Sequence, residues 1–139
     1  MTPLLVDTHV LVWLLDGDPR LSPPARRRID DAALQGQLWV SAITPWEIGM
    51  LVGKGRLVLD RDVAEWIDAA LALPGVQLAP LEPGVAVAST RLPHMFHGDP
   101  ADRIIVATAR HLGASLVTAD AVLLAYGSQG HVAVVDAQG

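Results

Sequence analysis

Short, continuously apolar segments alternate with helical segments along this chain, and this alternation limits the fold more than any other feature. A strand that is apolar at every position is buried on both faces, as in parallel sheets covered by helices. The predicted strands are LLV at 4–6, QLWVSAI, VQLAPL, ASLVTAD and a last, candidate edge strand, HVAVVD. The predicted helices are THVLVWLLDG, PPARRRIDDAALQG, TPWEIGMLVGKG, DRDVAEWIDAALALPG, PGVAVASTRL, DPADRIIVATARHLG and AVLLAYG. The pattern predicts a three-layer α/β/α sandwich with a central parallel sheet.

The size and net charge of the chain limit which kind of protein it can be. With 139 residues, 51% of them apolar, the chain is predicted to form a single domain over residues 1–139. The net charge of -5 argues against a sequence-independent DNA coat, which needs an excess of Lys and Arg. A nuclease stays compatible, because divalent cations in an acidic patch reverse the local field.

The chain contains no cysteine, which excludes disulfides, a thiolate nucleophile and a zinc-thiolate site and suits a reducing cytoplasm. The apolar start lacks a basic region and is interrupted by Asp7 and His9. It therefore fits neither a signal peptide nor a membrane span. We expect a cytoplasmic protein with no membrane segment.

Acidic residues stand where predicted strands end. Asp7 follows the first strand, Glu47 begins the helix after the second, and Asp120 follows SLVT. In parallel sheets the binding crevice lies at the carboxyl ends of the strands. These three carboxylates are expected at that crevice.

A fourth acid lies in HGDPADRIIVATA. With Asp99 as helix cap and Pro100 first, Asp102 occupies the third position on the inward arc, and Arg103 points away. The segment TPWE repeats this arrangement, with Thr44 as the expected cap. We expect Asp102 and Glu47 to approach one another and Asp99 to stay at the margin.

Each acid taken alone could simply cap a helix, and that alternative is about as strong as a functional role. Several carboxylates in one crevice repel one another, however, unless a cation lies between them. Oxygen ligands without cysteine suit Mg²⁺ or Mn²⁺.

DTH, WEI, DPADR and TAD, in this order and spacing, resemble the PIN-domain ribonucleases, in particular the VapC toxins of toxin-antitoxin pairs. The resemblance covers nearly the whole chain. It implies a Mg²⁺- or Mn²⁺-dependent endoribonuclease that uses metal-activated water, with an RNA substrate, a VapB-type antitoxin and a homodimeric state. Matched to the family motif, the catalytic and metal-binding residues are Asp7, Glu47, Asp102 and Asp120.

Four further residues are secondary candidates. Asp99 is interpreted as a cap first and an outer ligand second. Thr8 and Thr118 lie beside acids and could orient them, but bonds to the backbone are favoured. Arg103 could contact phosphate, although pairing with a neighbouring acid is favoured.

Other motifs receive ordinary structural interpretations. GMLVGKG is expected to be a helix C-terminus rather than a phosphate loop, and His9 a packed residue. His94 and His97 have metal-compatible spacing but fit a loop or surface pair, and the arginines at 26–28 fit a solvated helix face. The tryptophans are interpreted as core or dimer contacts before base-stacking residues: Trp13, Trp39, Trp46 and Trp66.

Two alternatives to an RNA-cutting toxin stay open. One is an inert PIN scaffold that binds RNA or a protein partner without cutting. The other is a metal-dependent nuclease that acts on DNA.

Overall fold

A computed structural model describes residues 2–94 and 98–139 of the chain. The strands are β1 (Leu4–Val6), β2 (Leu38–Ser41), β3 (Val76–Ala79), β4 (Ser115–Thr118) and β5 (Val134–Asp136). The helices are α1 (Thr8–Asp16), α2 (Pro23–Leu34), α3 (Ile43–Gly53), α4 (Val63–Leu71), α5 (Pro83–Ser89), α6 (Pro100–Leu112) and α7 (Ala121–Ser128).

The strands form one parallel sheet in the order β3-β2-β1-β4-β5. In the central strand, Leu5 is in register with Trp39 of β2 and with Leu116 of β4. The predicted parallel sheet is confirmed, and so is the edge position of the last strand. With β1 at the centre, the residues that follow β1 and β4 emerge at the same edge of the sheet.

Two apolar clusters cover the two faces of the sheet. Leu4 and Val6 belong to a cluster with residues of α1, α2 and α4, whereas Leu5 between them belongs to a cluster with residues of α6 and α7. Successive side chains of a strand point to opposite faces, so the two clusters are separate layers. This is the predicted three-layer α/β/α arrangement.

The helix ends follow local sequence signals in most places. Ser22 Oγ accepts a hydrogen bond from the Ala25 amide at 3.2 Å, with Pro23 in the first turn of α2. α1 ends at Gly17, whose φ of 63° lies in the left-handed region that glycine adopts without strain. The segment GMLVGKG forms the C-terminus of α3, as expected, with Lys54 as its C-cap.

The start of α3 differs from the prediction. Its N-cap is Ala42, which makes no side-chain capping bond, and Thr44 lies inside the first turn. The Thr44 hydroxyl instead lies 3.3 Å from Thr8 Oγ1 of α1. The expected capping role of Thr44 was wrong because its hydroxyl faces a neighbouring helix, and the parallel with the start of α6 does not hold.

Among the helices of the described ranges, none is long and apolar enough to span a bilayer.

Candidate active site

A cleft of about 310 Å³ opens at the carboxyl edge of the sheet. Its lining comes from the segments that follow β1 and β4 and from the helices α1, α3 and α6. The lining residues are Asp7, Thr8, His9, Trp13, Glu47, Asp99, Asp102, Ala119 and Asp120. All four acids predicted as catalytic therefore lie in one cleft.

Three carboxylates form a tight group inside this cleft. One oxygen each from Glu47, Asp99 and Asp102 lies within 4.8 Å of the others. We refer to these three residues as the carboxylate cluster. The expected approach of Asp102 to Glu47 is confirmed, and it results from the N-terminal parts of α3 and α6 meeting at the sheet edge.

Asp99 belongs to this cluster, so the expectation that it stays at the margin was wrong. Its Oδ1 accepts a hydrogen bond from the Asp102 amide at 2.8 Å, which is the predicted capping bond of α6. A capping carboxylate has a second oxygen available, and the N-terminus of α6 lies beside Glu47. Capping and membership of the cluster therefore combine in one side chain.

Two buried threonines hold two of the acids in place. Thr8 Oγ1 donates a hydrogen bond to Glu47 Oε1, and Thr118 Oγ1 donates one to Asp7 Oδ2. Thr118 also accepts a bond from the Asp120 amide at 3.1 Å. The favoured interpretation of backbone bonding alone was therefore wrong for both threonines, which orient carboxylates.

Asp7 is buried to the same extent as Glu47, and each is 7% exposed. Its Oδ1 accepts a hydrogen bond from the Val10 amide at 3.0 Å, so Asp7 is also the N-cap of α1. Burial raises the pKa of the Asp7 carboxyl, and the Thr118 hydroxyl and the Val10 amide oppose this by stabilising the anion. Asp7 lines the cleft beside the carboxylate cluster, with both oxygens already oriented.

The carboxylate cluster holds its charge at an energetic cost. Burial, followed by repulsion from Asp99 and Glu47, raises the pKa of Asp102 to about 7. Burial also raises the pKa of Glu47, against the stabilising bond from Thr8. A divalent cation would relieve both penalties, because it replaces lost hydration and cancels the repulsion.

Asp120 lies at the exposed side of the cleft. Its Oδ1 accepts hydrogen bonds from the amides of Val122 and Leu123, at 2.8 and 3.1 Å, and so caps α7. Arg103 follows Asp102 on α6, and its Nε donates to the Gly98 carbonyl at 3.3 Å. This bond attaches Arg103 to the chain that leads into α6.

His9 and Trp13 also line the cleft, which their sequence positions were not taken to predict. His9 is exposed and lines the cleft, so the expectation that it is packed was wrong. Trp13 is buried as expected, yet its ring also borders the cleft. Their spacing of four residues on α1 was the available signal, because residues i and i+4 share one helix face.

The remaining tryptophans divide between core and surface. Trp66 is buried, and Trp39 of β2 is partly buried against the apolar cluster that contains Leu5. Trp46 of α3 is 58% exposed. A core role is therefore wrong for Trp46. Trp46 and Ile48 flank Glu47 on α3, and of these two neighbours only Ile48 is buried.

The expected surface positions of the basic run and of His94 hold. Arg27 and Arg28 are exposed on α2, and Arg26 is partly exposed. His94 is exposed, and its ring stacks on that of His131 with centroids 4.8 Å apart. His97, its predicted companion, lies outside the described residues.

The donor set fits a hard divalent cation. Carboxylate oxygens are the ligands that Mg²⁺ and Mn²⁺ prefer. Burial and then the neighbouring acids raise the pKa of Asp102, and a bound cation would oppose both effects. Glu47, Asp99 and Asp102 are the residues placed to hold such a cation. Asp7 and Asp120 are the further acids in reach of a substrate lying in the cleft.

The chain is similar to known proteins over most of its length. The family model of the PIN domain matches residues 4–128. Ribonuclease VapC22 of Mycobacterium tuberculosis is 38% identical over 120 residues, which cover 86% of this chain and 88% of that protein.

Solved structures share the fold over nearly the full length. FitAcB from Neisseria gonorrhoeae superposes with a TM-score of 0.66 at 24% identity and covers 96% of this chain and 97% of that one. VapBC2 from Rickettsia felis, bound to a DNA fragment from its promoter, gives 0.67 at 14% identity, covering 95% and 96%. With the family model and the mycobacterial relative both spanning most of its length, this chain belongs to the PIN domain family, among the VapC-type members.

Proposed function

We propose that this protein is a divalent-metal-dependent endoribonuclease and the toxin of a VapBC-type toxin-antitoxin pair, acting as one PIN domain. The observation that carries the proposal is the carboxylate cluster of Glu47, Asp99 and Asp102, set beside Asp7 at the carboxyl edge of the sheet. The 38% identity to a protein named as a VapC ribonuclease supports RNA as the substrate.

The cofactor we propose is Mg²⁺ or Mn²⁺. Glu47, Asp99 and Asp102 would hold it, with Asp7 and Asp120 as further candidate ligands. When bound, the cation would neutralise phosphate charge and activate the water that attacks phosphorus.

The protein's own residues contribute position and charge. Thr8 fixes the carboxylate of Glu47, and Thr118 fixes that of Asp7, so the acids stay oriented when their charges repel. The Asp99 bond to the Asp102 amide ties the start of α6 to the same point. Together these bonds keep the acidic groups close without requiring rearrangement before substrate arrives.

The proposed partners are a VapB-type antitoxin and a second copy of this chain, and the proposed location is the cytoplasm. Structures related by fold are named as VapBC and FitAB assemblies, which supports an antitoxin partner. The 58% exposed Trp46 on α3 supplies apolar surface for a second copy. Light scattering of the purified protein tests the dimer directly.

A substrate screen tests the activity. The purified protein is incubated with single-stranded RNA, single-stranded DNA and duplex DNA, each with Mg²⁺, with Mn²⁺ or with EDTA. We expect internal cleavage of RNA that requires either cation. An Asp102→Asn variant that keeps its thermal transition serves as the inactive control.

The other outcomes separate the alternatives. Cleavage of DNA in preference to RNA would favour a DNA nuclease. RNA binding without cleavage under every cation would favour an inert scaffold. Either result would contradict the proposed activity.

A further inference from the structure

The cleft continues beyond the carboxylates along one face of α1. His9 and Trp13 are four residues apart and both line the cleft, so they follow one another at a rise of roughly 6 Å. His9 is exposed, whereas Trp13 is 8% exposed. This face leads from the acidic group towards the loop that follows α1.

Arg20, in that loop, lies over the Trp13 ring. Its guanidinium carbon is 4.9 Å from the ring centroid. Asp18 holds the same guanidinium from the side, with 2.7 Å between Nη2 and Oδ2, and its Oδ1 accepts from the Arg20 amide at 2.9 Å. The Arg20 side chain is nevertheless 62% exposed, which leaves its outer surface open to solvent.

We propose that Trp13 and Arg20 form a stacking platform for one unpaired base of the RNA substrate, close to the scissile phosphate. This inference rests on the proposed ribonuclease function and names the contact that selects single-stranded RNA. Bases of single-stranded RNA stack on aromatic rings and on guanidinium planes. The Arg20 guanidinium is already held in place by two partners, so little conformational entropy is lost when a base stacks on it.

The surrounding charge favours a base over a phosphate at this position. Asp18 balances the charge of Arg20. Asp16 is a further acid nearby, and its pKa is raised by burial and then by repulsion from Asp60 and Asp18. A phosphate would meet repulsion here, whereas the face of a base carries no net charge. The RNA would therefore place one base on the platform and direct the backbone of that nucleotide towards solvent.

Steady-state kinetics of Arg20 variants test this platform. The probe is a fluorescein-labelled single-stranded oligoribonucleotide that the wild-type protein cuts. Arg20→Gln is expected to raise KM roughly tenfold, the fold-change of a lost base stack, with kcat little changed. Arg20→Lys should show the same increase, because lysine keeps the charge but lacks the plane.

Arg28→Gln is the matched control, since Arg28 is also an exposed arginine but lies on α2 and not in the loop that places Arg20 over Trp13. Its KM should equal that of the wild type. A second control replaces single nucleotides around the cut with abasic ones. At one position the abasic substrate should raise the wild-type KM to that of Arg20→Gln, and the variant should add nothing further.

Three results would overturn the platform while wild-type cleavage persists. An unchanged KM in Arg20→Gln with a lowered Tm would mean that Arg20 only shields Trp13. Recovery in Arg20→Lys would indicate a charge contact, and an equal effect of Arg28→Gln would indicate diffuse attraction. Failure of the wild type to cut any RNA would instead overturn the proposed function, and the platform with it.

Discussion

Thr8 Oγ1 donates a hydrogen bond to Oε1 of Glu47, and the two residues are 39 positions apart in the chain. Both side chains are buried, so the bond replaces a water contact that Glu47 cannot make easily. It links the first residue of α1 to the N-terminal half of α3 and fixes the direction of one acid of the carboxylate cluster.

Removing this bond should weaken cation binding. In Thr8→Val the Glu47 carboxylate loses its donor, and we expect Mn²⁺ affinity to fall about 10- to 100-fold, as for other residues that orient ligands. Thr8→Ser should restore most of the affinity. Thr108→Val is the control, because the buried Thr108 hydroxyl donates only to the Ile104 carbonyl, at 2.7 Å. Calorimetric titration with Mn²⁺ measures all three, and equal affinity in Thr8→Val and wild type would refute the role.

Asp99 should act as a ligand as well as a cap. Asparagine caps helices about as well as aspartate, so Asp99→Asn should keep α6 stable while removing one charge from the cluster. Without metal we expect a Tm at least as high as that of the wild type, because the repulsion of Asp102 and Glu47 by Asp99 is removed. The Tm increase that Mn²⁺ produces should be lost. Asp62→Asn at the cap of α4 is the matched control, since Asp62 accepts from Ala64 at 3.1 Å in the same way. If Mn²⁺ stabilises Asp99→Asn as much as wild type, Asp99 is a cap only.

Asp102 should make the metal-free protein less stable as pH rises. Its pKa is raised from 3.8 to about 7, so the folded state binds the proton more tightly than the unfolded state. This stabilisation is complete below pH 3.8, declines as pH rises and is lost above about 7. Because Asp102 is partly exposed, we expect this contribution to the free energy of unfolding to be about 1–2 kcal/mol, less than the full pKa shift would give.

Asp102→Asn removes this dependence and should be more stable than wild type at pH 8 in EDTA. Urea unfolding of both proteins at pH 5 and pH 8 gives the comparison. The difference between them isolates Asp102 from Glu47 and Asp7, whose raised pKa values act in the same direction. A wild-type advantage that grows from pH 5 to pH 8 would contradict the assignment.

Gly75 should be the least replaceable glycine near β3. Its φ is +82°, and a Cβ there would lie 1.7 Å from the Ala33 carbonyl oxygen of α2. We expect Gly75→Ala to cost more than about 3 kcal/mol of unfolding free energy. Gly55→Ala is the control, with a φ of +70° and open space around it, and should cost about 1 kcal/mol. If urea unfolding gives a similar loss of unfolding free energy for both variants, the prediction is wrong, and α2 moves away from the added Cβ at little cost.

The fold was largely predictable because its signals are local. The apolar runs, Ser22 with Pro23, and Asp99 with Pro100 each specify an element within a few residues. Thr44 was misassigned because the same local signal permits a capping bond or a contact with another helix, and only the packing of α1 against α3 decides between them.

The gathering of the acids in one cleft was predictable, but the side chains that orient them were not. Carboxylates at strand ends follow from topology. The partner of Thr118 is 111 residues away in the chain, and the sequence does not specify that pairing. The exposure of His9 and the cluster position of Asp99 likewise depend on how three helix N-termini meet at one edge.

Titration of wild type and Asp102→Asn with Mn²⁺, followed by RNA cleavage assays on the same samples, tests the central claim most directly. We predict that the wild type binds Mn²⁺ and cuts RNA. The folded Asp102→Asn variant should bind Mn²⁺ at least tenfold more weakly, since loss of a group that only supports a ligand already costs about tenfold. It should also lose RNA cleavage. Unchanged Mn²⁺ affinity, or full cleavage by folded Asp102→Asn, would contradict the account.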